Sequence, residues 1–376
     1  MGNAPAPAHG PTATVEPALL EVTDLVKHYR IRSGRSLRGR ASRRATPAHT
    51  GEAVARAARE RSEQEREAPR PDATALHLPA RALRAVDGVS FRVGAGETLG
   101  LVGESGGGKT TVGLSVLRLV QPSGGTVSFE GRDVLAADRA EMKALRQRMQ
   151  IVFQDPIGAL DPRKSVGNSV AEGLRIQGLA PRAEARRRAV EVLDRVGLTA
   201  AQARSLPHEL SGGQLQRVGI ARALVLDPRL VVCDEPVSAL DVSIQAQIIN
   251  LLLDLQTERG LAYLFIAHDL ALVQHISDRV AVMYLGRIVE SAPAGELFDS
   301  PAHPYTRALL SAVPTDHPAE ARRRIVLRGE IPSATAPPTG CAFAPRCPDA
   351  MAKCSQQAPE FKEISPGRWA ACFLND

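Results

Sequence analysis

Apolar and polar positions along the chain fall into two alternating kinds of segment. Short runs of apolar residues predict buried strands at residues 97–102, 149–153, 230–233 and 261–267. Residues 19–29 alternate instead, which predicts a strand with one face toward solvent, and the pattern resumes at 85–91. Gly94-Ala95-Gly96 marks a turn, Gly124-Gly125 another that leads into a strand at 126–129, and 279–289 predicts a two-stranded return. Helical spacing appears at 112–120, 212–226 and 242–259, the last with Ile244, Ile248, Leu251, Leu252 and Leu255 on one face. Between 156 and 210 strand formers thin out, and 165–177 and 182–196 predict helices. This order predicts an α/β core with a mainly parallel sheet, interrupted by an α-helical subdomain at 156–210.

Between the strand at 97–102 and the helix at 112–120 lies Gly103-Glu104-Ser105-Gly106-Gly107-Gly108-Lys109-Thr110-Thr111. It fits G-x-x-x-x-G-K-[ST], in which backbone N–H groups turn inward around phosphate oxygens. Lys109 would place a point charge on the β- and γ-phosphates, and the Thr110 hydroxyl would ligate Mg²⁺. The strand at 230–233 runs into Asp234-Glu235, where an α/β sheet binds ligands. Asp234 suits Mg²⁺ through bound water, and Glu235 is free to orient or deprotonate an attacking water. Two solvated carboxylates at a strand end are the simpler reading. Leu210-Ser211-Gly212-Gly213-Gln214 opens a helix and could receive a second anion, or be an ordinary Ser-Gly-Gly cap.

Composition narrows the class without naming it. The 376 residues leave room for roughly two domains, and 44% hydrophobic with 23% charged residues is ordinary for a globular protein. Aromatics at 3% argue against a base-stacking single-strand binder. No apolar run approaches the ~20 residues of a membrane-spanning helix, and residues 1–10 lack the marks of a secretory signal. The net charge of +6 is concentrated: residues 30–84 hold 14 Arg against six Asp and Glu, leaving the remainder slightly acidic. That segment reads as a flexible, solvated insertion, or as a basic strip for anionic lipid or a partner. Residues 1–18 read as a disordered tail.

These motifs, in this order, resemble the ATP-binding subunits of ABC transporters. The resemblance covers residues 19–291 and adds Gln154 as the Q-loop, Asp241 of Ser238-Ala239-Leu240-Asp241 as the D-loop, and His268 as the switch histidine. It implies an ABC-type ATPase domain at 19–299 with an antiparallel β subdomain. It also implies that Tyr29 stacks on adenine, a strand-end Tyr being the plainer account, and that Gln154 senses Mg²⁺ beside Thr110 and Asp234. Glu235, His268 and Lys109 become the catalytic residues. Ser211, Gly212, Gly213 and Gln214 become the signature that grips the ATP held by a partner's loop.

Pro236 to Gln247, His303-Pro304-Tyr305-Thr306-Arg307-Ala308-Leu309-Leu310 and Gly340-Cys341-Ala342-Phe343-Ala344-Pro345-Arg346-Cys347-Pro348 are similar to oligopeptide and dipeptide importer ATPases. Residues 300–376 then form a C-terminal extension of Pro-rich loops. Its cysteines Cys341, Cys347, Cys354 and Cys372 are spaced C-x₅-C-x₆-C-x₁₇-C, which suits an iron–sulfur cluster, Zn²⁺ or free thiols. The resemblance implies a [4Fe–4S] cluster, with Zn²⁺ as the alternative. Cys233 reads as a small buried hydrophobe. The implied partners are a second related ATPase in a heterodimer, two permease subunits and an extracytoplasmic binding protein, on the cytoplasmic side of the membrane. No direct nucleic-acid contact is expected. Three rivals stand: an importer of nickel or another small solute, a soluble ABC ATPase acting on nucleic acid, and a cysteine tail that serves as a redox sensor controlling assembly.

Overall fold

In the computed structural model, residues 18–30, 82–313 and 325–376 are described. The expected tail (apart from Ala18) and nearly all of the basic segment lie outside the described residues. The two ends of that segment do not: β1 (Leu20–Arg30) continues through Arg30, and β2 (Ala82–Val93) begins at Ala82. Both ends of the expected insertion are therefore paired strand, with Arg30 opposite Ala82.

Among the described residues, twelve strands form two sheets. The smaller is antiparallel, in the order β2, β1, β4 (Gly124–Phe129), β5 (Arg132–Asp133). The larger contains β3 (Thr98–Val102), β6 (Met149–Val152), β7 (Leu230–Asp234), β8 (Ala262–Ala267), β9 (Arg279–Tyr284) and β10 (Arg287–Pro293). The strands from β9 through β3, β8 and β7 to β6 are parallel neighbours, and β10 returns antiparallel on β9. Two further strands, β11 (Lys362–Ser365) and β12 (Arg368–Ala370), extend this sheet beyond β10. They come from the tail expected to be loops. They are short and flanked by Pro and Gly, so no run of side chains announces them.

Strands β3, β7 and β8 are buried on both faces, which is why they read as continuous apolar runs. Alternate residues serve two cores. Leu99, Leu101, Val232, Leu264 and Ile266 pack toward the antiparallel sheet, with helix α1 (Lys109–Val116) between the sheets. Val231, Cys233, Tyr263, Phe265 and Val282 face the other way, onto most of the later helices. Cys233 is fully buried there, as expected.

Helix α2 (Arg139–Arg148) has no counterpart among the predicted elements, because Met142 and Leu145 are its only buried residues. Its start was legible: Asp138 accepts from the N–H groups of Ala140 and Glu141, and Glu141 accepts from the Asp138 N–H. Helices α3 (Val166–Gln177) and α4 (Arg182–Arg195) form the helical region and pack near α5 (Gly212–Leu224). Helix α6 (Val242–Arg259) buries Ile248, Ile249, Leu252 and Leu255, with Ile244 and Leu251 half-buried at its margin. Then come α7 (Leu270–Ile276), α8 (Ala294–Asp299), α9 (Pro304–Ser311) and α10 (Ala352–Gln356). Among the described residues no helix is long and apolar enough to cross a membrane.

Candidate active site

The carboxyl ends of β3, β7 and β8 lie side by side, and each feeds one part of the site. After β3 the chain turns through the glycine-rich loop into α1. Gly108 has φ +97, and a Cβ there would stand 2.0 Å from the Ala85 carbonyl oxygen, so only glycine fits. Lys109 is buried, and its Nζ donates to the carbonyls of Gly103 at 2.7 Å and Glu104 at 3.1 Å. Burial pulls its pKa below the ordinary lysine value, opposed by the nearby charges of Glu235, Asp234 and Glu104. Ser105 and Gly106 are exposed at the loop's tip, and Gly107 donates back to the Glu104 carbonyl at 3.1 Å. Thr111 follows in the first turn of α1.

Thr110 Oγ1 donates to Asp234 Oδ1 at 2.9 Å, which joins the loop to the end of β7. Burial raises the Asp234 pKa, and the Thr110 hydrogen bond opposes that shift. A hydroxyl and a buried carboxylate at this separation are oxygen donors suited to Mg²⁺. The next residue, Glu235, takes φ +45, a left-handed conformation that L residues seldom hold. The turn aims its carboxylate back over the strand ends while its N–H still donates to the Ile266 carbonyl at 3.0 Å.

Three expected residues meet at one atom. Glu235 Oε2 accepts from Gln154 Nε2 at 3.0 Å and lies 3.2 Å from His268 Nδ1. His268 is about half exposed (53%), whereas Glu235 is mostly covered (14%). Gln154 was expected beside Thr110 and Asp234; its side chain bonds to Glu235 and, at 3.4 Å, to Ser238 Oγ. Ser238 was seen only as part of a motif, and here it also donates to the Glu235 carbonyl at 3.2 Å.

The second glycine-rich loop is built otherwise. Ser211 Oγ accepts from the Gln214 N–H at 3.4 Å, and Gln214 Oε1 accepts from the Ser211 N–H at 2.9 Å, a reciprocal cap on α5. Ser211 and Gly212 are exposed. A Cβ on Gly213 would sit 2.6 Å from Cγ2 of Ile244, so this loop packs against the start of α6. Asp241, at the head of α6, is exposed, and its side chain caps nothing. Tyr29 lies opposite Leu83 near the end of β1, with Lys27 Nζ 4.9 Å from its ring centre.

The four cysteines of the extension line one pocket together with Phe343, Met351 and Phe373. All four are free thiols. Cys341 receives hydrogen bonds from the N–H groups of Phe343 and Ala344, Cys347 from Asp349, and Cys372 from Leu374. The Met351 N–H donates to Cys354 Sγ at 3.5 Å. Burial raises the pKa of Cys341 and Cys372 and pushes Cys347 up to about 11. Among the described residues no group of three or more His, Cys, Asp or Glu is gathered tightly enough to hold a metal ion as the side chains stand. The ring of N–H donors suits thiolate ligands, but the sulfurs are not drawn together as a ligand set.

Known proteins resemble the chain over most of its length. Residues 86–238 match the ABC transporter family, and residues 289–354 match the oligopeptide/dipeptide transporter C-terminal region. A Brucella ovis protein named for peptide import as an ATP-binding protein is 52% identical over 304 residues, 80% of this chain and 96% of the relative. The oligopeptide transport ATP-binding protein AppF of Bacillus subtilis is 51% identical over 295 residues, 78% of this chain and 90% of that protein. Among solved structures, the ATP-binding cassette MJ0796, a dimer in a post-hydrolysis state with ADP and Pi, superposes with a TM-score of 0.56 at 23% identity. That match covers 73% of this chain and 98% of MJ0796, and shows the shared fold.

Proposed function

Since the chain belongs to the family of ABC transporter ATP-binding proteins and is an ATPase of that family, we propose that it powers uptake of oligopeptides or dipeptides. The observation that carries the catalytic assignment is the convergence of Gln154 and His268 on Glu235, one residue from the Asp234–Thr110 pair. ATP lies with its β- and γ-phosphates in the loop from Gly103 to Thr111, where Lys109 leaves the Gly103 and Glu104 carbonyls for phosphate oxygens. Thr110 and Asp234 would hold Mg²⁺, with Gln154 turned toward it from Glu235, and the ion would offset charge on the phosphates. Glu235 orients and deprotonates the attacking water, and His268 holds the γ-phosphate against it. Tyr29 stacks on the adenine.

Ser211 to Gln214 act on a second nucleotide. A helix N-terminus that is exposed and already capped is available to a phosphate held by another chain. The active form is thus a head-to-tail pair with a second, related ATPase, in which Asp241 lies at the contact. The pair docks on two permease subunits at the cytoplasmic face of the membrane, and an extracytoplasmic binding protein delivers the peptide. Peptide as the cargo rests on the named relatives and on the matched C-terminal region.

The test is reconstitution. The isolated chain should bind ATP and turn over slowly. Assembly with its permeases and partner ATPase in vesicles should raise turnover, and peptide-loaded binding protein should raise it further. Vesicles that hydrolyse ATP and accumulate nickel, with no peptide uptake, would move the cargo to the small-solute class. Steeply salt-dependent RNA binding lost on deleting residues 35–70 would favour the nucleic-acid reading.

A second reading concerns the extension: Cys341, Cys347, Cys354 and Cys372 hold a [4Fe–4S] cluster, Zn²⁺ being the alternative. It is supported by four thiols on one pocket, each with a backbone N–H directed at its sulfur. Holding a metal requires the loops to draw the sulfurs together. Anaerobic purification should yield a brown protein with iron and acid-labile sulfide in equal amounts. Zinc without iron would select the alternative, and neither metal would leave the cysteines as thiols.

A further inference from the structure

The second residue of the phosphate loop is held from outside the loop. Glu104 receives a two-pronged guanidinium contact from Arg346, Nη1 to Oε2 at 2.7 Å and Nη2 to Oε1 at 3.0 Å. Its N–H donates to the Tyr305 hydroxyl at 2.9 Å. Its carbonyl accepts from both Lys109 Nζ and the Gly107 N–H, each at 3.1 Å. One residue therefore links the C-terminal extension to the lysine that must meet the phosphates.

The clamp is seated in a built site. The Arg346 side chain is 9% exposed and that of Glu104 27%. Arg346 Nη1 also reaches the Tyr284 hydroxyl at 3.4 Å. Tyr284, Tyr305 and Phe343 pack ring against ring, with centres 4.7 to 5.3 Å apart. Behind it, Arg346 closes the short turn Ala344–Arg346, whose first N–H donates to the Cys341 carbonyl and which leads directly into Cys347.

A carboxylate on a phosphate loop works against the loop's purpose. Left unpaired, Glu104 would repel a polyanion arriving at the adjacent N–H groups. A planar guanidinium cancels that charge and fixes the carboxylate's direction at once, which an ammonium cannot do. We infer that Arg346 is a positioning residue for the ATPase reaction: it neutralises and holds Glu104, so the C-terminal extension sets the affinity of the phosphate loop for ATP. This inference rests on the ATPase reading above.

The experiment is calorimetric titration of Mg·ATP into the full chain, with turnover measured in the assembled transporter. Arg346→Ala should weaken ATP binding roughly five- to thirty-fold, inside the range for directly contacting pairs. Turnover at saturating ATP should stay within about twofold, because the residue touches neither water nor γ-phosphate. Adding Glu104→Gln to Arg346→Ala should restore affinity to within about threefold of wild type, since no unpaired charge remains. Arg346→Lys, which keeps the charge and loses the fork, should fall between. Unchanged affinity in Arg346→Ala would overturn the inference. So would a loss that Glu104→Gln fails to rescue, which would assign Arg346 to packing alone. Wild-type chain that binds no ATP would instead remove the ATPase reading, a result visible before any variant is compared.

Discussion

The two glycine-rich loops of this chain, both proposed to meet phosphate, are supported in opposite ways. The loop from Gly103 to Thr111 is braced on every side: Lys109 is buried against its carbonyls, Thr110 is tied to Asp234, and Glu104 is gripped by Tyr305 and Arg346. The loop at Ser211 to Gln214 is open, and its hydroxyl closes its own helix. The braced loop has Asp234 within hydrogen-bond reach, one residue from Glu235. The open loop packs on Leu240 and Ile244. A complete half-site and a capped, exposed helix end are what a nucleotide shared between two chains requires. Neither loop alone explains turnover.

The comparison can be broken at either loop. Glu235→Gln should lower turnover of the assembled transporter roughly 10²–10⁴-fold while ATP binding persists, the scale of a lost general base. Wild-type turnover in that variant would remove Glu235 from the chemistry. Ser211→Arg should lower turnover in the assembly about 10²-fold, as expected for blocked anion donors. ATP affinity of the isolated chain should then stay within about twofold. Should that affinity collapse as well, the two loops would belong to one site in one chain.

Two smaller effects probe the bracing. Phe343 is 1% exposed and sits among Tyr284, Tyr305 and His303. Phe343→Ala should cost about 3–5 kcal/mol of stability and weaken ATP binding with it. A melting curve and an affinity that both match wild type would separate the extension from the loop. His303 is 1% exposed, accepts the Tyr305 N–H at Nδ1, and has its pKa lowered to about 3 by burial and then by Arg307. Its unfolded value near 6.5 is higher, so the unfolded chain gains the proton first as pH falls. Stability should therefore be fully present above about pH 6.5 and decline below it, by at most ~1.4 kcal/mol per pH unit, until about pH 3. His303→Asn should flatten that decline in melting temperature between pH 6.5 and 4.5, and an unchanged slope would remove His303 as its source.

What could be read in advance was local. A strand, a loop of glycines and a helix follow from backbone sterics within about twenty residues, so the phosphate loop, the Asp234–Glu235 strand end and most helices were legible. Helix α2 is hard to read from sequence because two buried side chains make too narrow a stripe, although Asp138 and Glu141 signal its start. Arg346 is legible only as part of the motif around Cys347, since nothing along the chain connects it with a loop more than two hundred residues earlier.

By itself, then, the sequence determined which residues could bind phosphate, carry a proton or hold a metal, because each of those abilities belongs to a side chain and its near neighbours. Tertiary structure alone decided their partners. It sent Gln154 to Glu235 instead of to the Thr110–Asp234 pair, added β11 and β12 to the main sheet, and set an arginine of the extension against the phosphate loop. Those outcomes depend on which surfaces pack together. Packing is settled by burial summed over the whole chain, so no stretch of the sequence records it.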